Sequence, residues 1–265
     1  MNLTRFTGTQ PFGSLDLFVE PPTLVPRPET EEWAMWLAGN LRAVQAEPGH
    51  RPKKILDLCT GSGCIPLLLC SELPRGAIRA LGVDISRAAI KLANRNRDKY
   101  AYISLESHGV RQNHFETLQS DIFSTRFTKI LQDHPSYPFD VITSNPPYIN
   151  RVDYDRLPHS VKSYEDLLAL IGEMPASYHP TGSFNKTQRS EANAKGLAFY
   201  HRIADLIRTD EFLIQSGGDV VLEVGIHQAV DVGELFANAL QDRLDFIDIR
   251  EDASGVERVV YAKLR

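Results

Sequence analysis

From Lys53 onward, short apolar and β-branched runs alternate with longer stretches in which apolar residues recur at helical spacing. Ile55–Cys59, Ile78–Asp84, Phe115–Gln119, Phe139–Ser144 and Asp219–Val224 read as buried strands. Cys64–Leu73, Ser86–Asp98, Leu197–Arg208 and Val230–Leu240 read as helices. In Leu197–Arg208 the apolar positions Leu197, Ile203, Leu206 and Ile207 mark one face. Ser86 is the predicted N-cap of its helix, and Pro146 stops the fourth strand. Leu244–Arg250 and Glu257–Lys263 are consecutive strands joined by Glu251–Val256. Strand–helix alternation predicts a parallel sheet covered on both faces, and two final consecutive strands predict an antiparallel hairpin at one edge. The expected fold is α/β and Rossmann-like, with a mostly parallel seven-stranded sheet.

Two segments fall outside the alternation. Residues 1–50 hold a short strand, Ser14–Glu20, the proline-rich Pro21–Pro28 and a helix over Thr30–Val44. Residues 172–195 are polar, rich in Pro, Ser, Asn and Lys, and lack periodicity. They read as a long mobile loop inserted into a main domain of residues 51–265.

Composition narrows the class. The chain has 265 residues, 42% hydrophobic and 24% charged, a globular balance. The formal charge of −5 argues against affinity resting on many phosphate contacts. No apolar run reaches the roughly 20 residues that span a bilayer. Cys59, Cys64 and Cys70 form no C-x-x-C pair and no H-E-x-x-H occurs, so no metal site is expected. The first ten residues carry one Arg and no apolar stretch, so no signal peptide is expected.

Three strand ends carry candidate chemistry. Asp57-Leu58-Cys59-Thr60-Gly61-Ser62-Gly63 joins a strand to a helix. Glycines let the backbone approach a ligand, and a helix N-terminus presents free N–H groups. The spacing departs from the G-x-G-x-x-G of dinucleotide sites. It suits a ligand with an ammonium and a carboxylate, such as the methionine part of S-adenosylmethionine; the plain alternative is a tight turn. Asp84 ends the next strand, where a carboxylate can accept from two ribose hydroxyls or cap the following helix. Asp121 is placed to meet an adenine amino group, or is a loop aspartate. Asn145-Pro146-Pro147-Tyr148 is the most informative motif. Two prolines fix a rigid turn, leaving the Asn145 side-chain oxygen and the Pro146 carbonyl as acceptors for both hydrogens of a planar NH₂ group. Tyr148 supplies an aromatic wall.

Asp57–Gly63 together with Asn145–Tyr148 resembles the amino-methyltransferases. Thr23-Leu24-Val25-Pro26-Arg27-Pro28-Glu29-Thr30-Glu31 is similar to the signature of the HemK/PrmC family, the glutamine methyltransferases of peptide-chain release factors. Gln10–Gly13, Tyr164–Leu170, Leu222–Gly225 and Ser254–Val260 agree. Cysteine at the first glycine position resembles fungal mitochondrial members. The resemblance implies a class I methyltransferase using S-adenosylmethionine to methylate the glutamine of a Gly-Gly-Gln motif. Asp57, Cys59, Thr60, Gly61, Ser62, Gly63, Asp84, Asp121, Ile122 and Asn145 would meet the cofactor. Asn145, Pro146, Pro147 and Tyr148 would hold the glutamine, with Asn145, Pro146 and Tyr148 catalytic. Arg27 and Glu29 would border the pocket and steady the NPPY turn, or form an exposed ion pair. The implied partner is a release factor, the implied compartment the mitochondrial matrix or else the cytoplasm, and the expected state a monomer off the membrane.

The family's N-terminal helical domain is nearly missing from residues 1–50, so a weaker hold on release factor is expected. Cys59 replaces a glycine, and Ile122 stands where some bacterial members carry tryptophan. Two other readings compete. One is an amino-methyltransferase acting on a flipped adenine or guanine of nucleic acid; the acidic charge and the PRPETE stretch oppose it. The other is a cofactor-binding scaffold without turnover.

Overall fold

The computed structural model describes residues 8–45, 51–100, 112–176, 178, 186–210 and 213–265. A small antiparallel hairpin opens it, β1 (Thr9–Phe12) and β2 (Leu15–Phe18), followed by helix α1 (Pro28–Gln45). The sheet strands are β3 (Lys53–Leu58), β4 (Ile78–Asp84), β5 (His114–Gln119), β6 (Phe139–Ser144), β7 (Ile214–Glu223), β8 (Leu244–Glu251) and β9 (Glu257–Leu264). Between them run α2 (Cys64–Glu72), α3 (Arg87–Lys99), α4 (Phe127–Gln132), α5 (Arg151–Arg156), α6 (His159–Lys162), α7 (Leu167–Leu170), α8 (Lys186–Ala194), α9 (Ala198–Thr209) and α10 (Ala229–Leu240).

The seven strands order as β5-β4-β3-β6-β7-β9-β8. The first five pair in parallel, and β9 pairs antiparallel with both β7 and β8. This is the expected class I arrangement with its C-terminal hairpin. Side chains of a strand alternate between faces, so each strand feeds two cores. Leu56, Leu58, Ile142, Val220, Leu222 and Val260 join the core under α9 and α10. Ile55, Val141, Val221 and Val259 join the opposite core, under α1 and α2.

That second core also takes residues from the start of the chain. Phe12, Leu15, Leu17, Trp33, Leu37 and Leu41 are buried in one cluster with Leu67 and Leu68. On α1, Trp33, Leu37 and Leu41 recur every four residues and form the inward stripe. Pro28 opens the helix, where its missing N–H is no loss, two residues before the expected start. The expected strand Ser14–Glu20 is instead a hairpin. Phe12 and Leu15 pair across Gly13-Ser14, and Gly13 takes the positive φ that the tight turn requires. No helix among the described residues is long and apolar enough to cross a membrane.

Further differences lie after β6. Helices α5, α6 and α7 are too short for an apolar period to announce them. Strand β7 begins five residues before the expected Asp219. The polar, glycine-bearing Gln215–Gly218 hides that start, and the register shifts there between Phe139 and Val141. The expected loop 172–195 contains helix α8, whose single buried side chain is Ala192, so no amphipathic stripe shows in the sequence. Met174 and Tyr178 are buried too. Residues 177 and 179–185 of that expected loop lie outside the described residues.

Arg189 of α8 ties this segment together. Its guanidinium donates to the carbonyls of Tyr178 (2.6 Å), Met174 (3.2 Å) and Pro175. Arg189→Ala should cost about 1–3 kcal/mol, because the half-buried carbonyls lose a charged donor. Chemical denaturation should show a lower midpoint, and limited proteolysis faster cleavage within 172–195. Unchanged values for both would show that the arginine holds nothing.

Candidate active site

The sheet order reverses between β3 and β6, where Leu58 and Ser144 are parallel neighbours. Loops leaving two such strands part toward opposite faces and leave a crevice at their carboxyl ends. Here the crevice is a cavity enclosing about 1200 Å³, its mouth included. Its walls come from Cys59–Ser62, Val83–Ser86, Ser120–Phe123, Asn145 and Pro147, with some residues between 22 and 30 and between 166 and 175 across the mouth.

The glycine loop is held by its neighbours. Asp84 Oδ2 accepts from the Gly61 N–H (2.9 Å) and its Oδ1 from the Ser86 N–H (2.8 Å). One carboxylate therefore fastens the loop and starts α3, and it still faces the cavity. Burial raises its pKa, opposed by those backbone hydrogen bonds. Ser86 caps α3 as expected, accepting from the Ala89 N–H. Asn96 of α3 donates to the Ser62 carbonyl (3.0 Å). Gly61 has φ 55°, and so does Cys59 at 59°, a left-handed conformation unusual for a side chain with Cβ. Helix α2 starts at the cavity with no side-chain cap.

Asp57 is not at the cavity. Expected to meet the cofactor, it is fully buried behind the loop, accepting from the Thr143 hydroxyl (2.7 Å). Burial pushes its carboxyl up to about 7, and the hydroxyls of Thr60 and Thr143 hold it down. Among the described residues neither Asp57 Oδ2 nor Thr60 Oγ1 makes a well-aligned hydrogen bond, so the Thr60 hydroxyl eases the buried charge by proximity rather than by a full bond. Gly63 also stands back from the cavity, as the N-cap of α2.

Asp121 accepts from the Phe123 N–H (2.8 Å), a local turn that leaves it on the wall. Ile122 beside it is buried, and its carbonyl accepts from Arg202 Nε of α9 (2.6 Å). Sequence reading missed Ile85, which stands 49% exposed on the same wall.

The NPPY turn is clamped from behind. Asn145 Nδ2 donates to Thr30 Oγ1 (3.2 Å). Gln228 Nε2 donates to the Tyr148 carbonyl (2.9 Å) and the Lys195 carbonyl (2.7 Å), while its Oε1 accepts from the Gly225 N–H (2.8 Å). Gly196, with φ 71°, lies so close that a Cβ there would stand 2.0 Å from the Tyr148 carbonyl oxygen. Pro146 and Tyr148 do not line the cavity, whereas Asn145 and Pro147 do. Burial first, and then nearby Glu223, push the Tyr148 phenol up to about 12, so it stays neutral.

Arg27 pairs with buried Glu165 rather than with Glu29, at 2.9 Å. The Asp166 N–H donates to the Pro22 carbonyl (2.8 Å). Together these contacts join the two strips that cross the mouth. Glu29 does not line the cavity, though its charge reaches Tyr148.

No protein-family profile matches the chain. Over 167 residues it is 37% identical to the mitochondrial MRF1 N(5)-glutamine methyltransferase MTQ1 of Saccharomyces cerevisiae, covering 63% of this chain and 48% of that protein. It is 32% identical to a release factor glutamine methyltransferase of Geobacter sulfurreducens, covering 99% of this chain and 73% of that protein. The chain belongs to the release factor glutamine methyltransferase family. It thus spans about half the length of the yeast family member and about three quarters of the bacterial one. Its fold matches the N-terminal domain of human METTL16 in complex with SAH, with a TM-score of 0.57 at 12% identity, over 98% of this chain and 78% of that one.

Family membership leaves three residues here that sequence reading gave no role. Glu165 bonds Arg27 and Gln228 bonds the Tyr148 carbonyl directly, but these partners lie 138 and 80 positions away in the chain, so no spacing signals them. Glu223 is the third: it accepts from Thr30 Oγ1 (2.6 Å) and Trp33 Nε1 (2.8 Å).

Asp57 predicts a pH signature. Its folded pKa lies above the unfolded value of 3.8. The protonated form therefore favours the fold. That contribution is full below about pH 4 and is lost as pH rises through about 7, amounting to a few kcal/mol. Denaturation between pH 4 and 8 should show stability draining away in the wild type and a flatter profile for Asp57→Asn. Parallel profiles would refute the assignment. Cys59→Val should destabilise by about 1–2 kcal/mol and Cys59→Gly should not, since a branched Cβ resists positive φ. Equal thermal transitions for the two variants would contradict the strain.

Proposed function

We propose that this chain transfers a methyl group from S-adenosylmethionine to the side-chain amide nitrogen of the glutamine in a release factor's Gly-Gly-Gln motif. The observation that carries this reading is the fixed polarity of Asn145. Its Nδ2 donates to Thr30, which leaves Oδ1 as the acceptor of a side chain that lines the cavity.

The residues present fit the cofactor. The uncapped N-terminus of α2 suits a carboxylate. Asp84 offers spare lone pairs beside it for a diol, and Ile85 and Ile122 supply apolar walls for a purine. Asp121 sits at that wall for an exocyclic amine. Bound there, S-adenosylmethionine supplies an electrophilic methyl group. The structural relative METTL16 was solved with SAH.

The protein's part is orientation. An amide nitrogen is a weak nucleophile because its lone pair is delocalised. Asn145 Oδ1 and the Pro146 carbonyl accept hydrogen bonds from its two hydrogens, fix its plane and favour the positive charge that grows on nitrogen during attack; the nitrogen gains the methyl and gives up one proton, which passes to water at the cavity mouth. Pro147 walls the glutamine, and Tyr148, packed behind the cavity, keeps the turn stiff. Tyr148 stays a neutral phenol and takes no proton. The Arg27–Glu165 bridge holds the mouth strips in place.

The same acceptor pair could take the exocyclic amine of adenine or guanine, but the net charge of −5 and the family favour a protein substrate. Mass spectrometry of release factor, RNA and DNA, each incubated with the protein and S-adenosylmethionine, separates the two readings. One methyl on the glutamine is expected; transfer to nucleic acid alone would overturn the proposal. The yeast relative is named mitochondrial, and we place this chain in the same compartment, a placement that fractionation of tagged protein tests.

Asn145→Ala should lower single-turnover transfer about 10²-fold, because misplacing a reacting group by an ångström costs that much. S-adenosylhomocysteine affinity, read by calorimetry, should stay within a few-fold. Near-normal transfer would remove Asn145 from the catalytic set.

A further inference from the structure

We infer that Glu223, acting through Thr30, is the positioning residue that fixes which end of the Asn145 amide faces the substrate. The inference rests on the reading of Asn145 given above.

An indole N–H can only donate. Trp33 Nε1 lies 2.8 Å from Glu223 Oε2, so that oxygen accepts. Thr30 Oγ1 lies 2.6 Å from the same oxygen. The Thr30 hydroxyl has one hydrogen, and it goes to Glu223. Only lone pairs of Thr30 Oγ1 remain for Asn145, which must present Nδ2. A reversed amide would set two oxygens against each other, so Oδ1 is left for the cavity. The order is strict when Glu223 is ionised, because a carboxylate has no hydrogen to give, and it also holds for a carboxyl protonated on Oε1, which leaves Oε2 an acceptor.

Burial gives the chain of bonds its stiffness. Glu223 is 2% exposed and Thr30 1%. The other charges near Glu223 are Arg258 and Glu29, and Tyr200 donates to its main-chain carbonyl (2.8 Å). Four residues from three segments therefore form one run of bonds: Thr30 and Trp33 from α1 meet Glu223 of β7 at one carboxylate oxygen, and Thr30 passes the link to Asn145 beyond β6. A purely structural role would join α1 to the sheet without influencing transfer.

The test compares Thr30→Val, which keeps the shape and removes the hydroxyl, with Thr30→Ser, which keeps the hydroxyl. For T30V, kcat should fall about 10–100-fold, as for a mis-set reacting group. KM for release factor should move less than about threefold, the mark of an effect confined to the transition state. Affinity for S-adenosylhomocysteine by calorimetry should not change, and T30S should recover most of the rate. In the free protein, the Asn145 side-chain amide should show slow hydrogen exchange by NMR in wild type and T30S and fast exchange in T30V. Wild-type transfer by T30V, a T30S as slow as T30V, or amide protection unchanged across all three would overturn the inference. A wild-type protein that methylates no release factor would overturn the proposed function instead, and amide protection would still decide the positioning role.

Discussion

Everything at the site follows from two parallel strands whose exits part. Beyond β3 the chain turns into α2 and joins the core under α1; beyond β6 it passes into the core of α9. Neighbouring backbones cannot diverge without opening a gap at their ends. The protein stitches the strands up to the last residue before they separate. Thr143 bonds Asp57 across the pair, and the Ser144 hydroxyl donates to the Leu58 carbonyl at 2.7 Å. One residue later the glycine loop and the NPPY turn go their separate ways.

Three carboxylates with restricted access to water hold these loops. Asp57, Asp84 and Glu223 all have pKa values raised by burial, and all accept hydrogen bonds from segments far apart in sequence. A buried acceptor without donors is costly, so each carboxylate selects the conformations that supply it with N–H or O–H groups. The stability lost to desolvation returns as definition of the loops around the cavity.

How much of this shows in the sequence depends on range. Strands β3, β4 and β6 are legible because each carries a short apolar and β-branched stretch that is covered on both faces. The glycine loop and the NPPY turn announce themselves because their special backbone needs special residues. Ile85 does not, since an apolar residue after a strand reads as core. Glu223 reads only as one letter at a strand end, because its partners lie 190 and 193 positions away. Helix α8 escapes notice for the opposite reason: a nine-residue helix with one buried alanine carries almost no hydrophobic signal. Among the proposed site residues, the pattern marks those that bend the chain and passes over those that brace it.

Arg202 of α9 links the cavity to the segment that carries α8. Its Nε bonds the Ile122 carbonyl on the cavity wall, and its other face meets Asp205 at 3.4 Å. The Tyr178 hydroxyl donates to that same carboxylate at 3.1 Å. Positions 122, 178, 202 and 205 are therefore one unit for inheritance. Groups that share a buried partner do not contribute additively, so the tolerance of any one position depends on which residues occupy the others. Losing Tyr178 would take a hydroxyl donor from Asp205, the counter-ion of the arginine that braces the cavity wall, so a change in that distant segment is felt at Ile122.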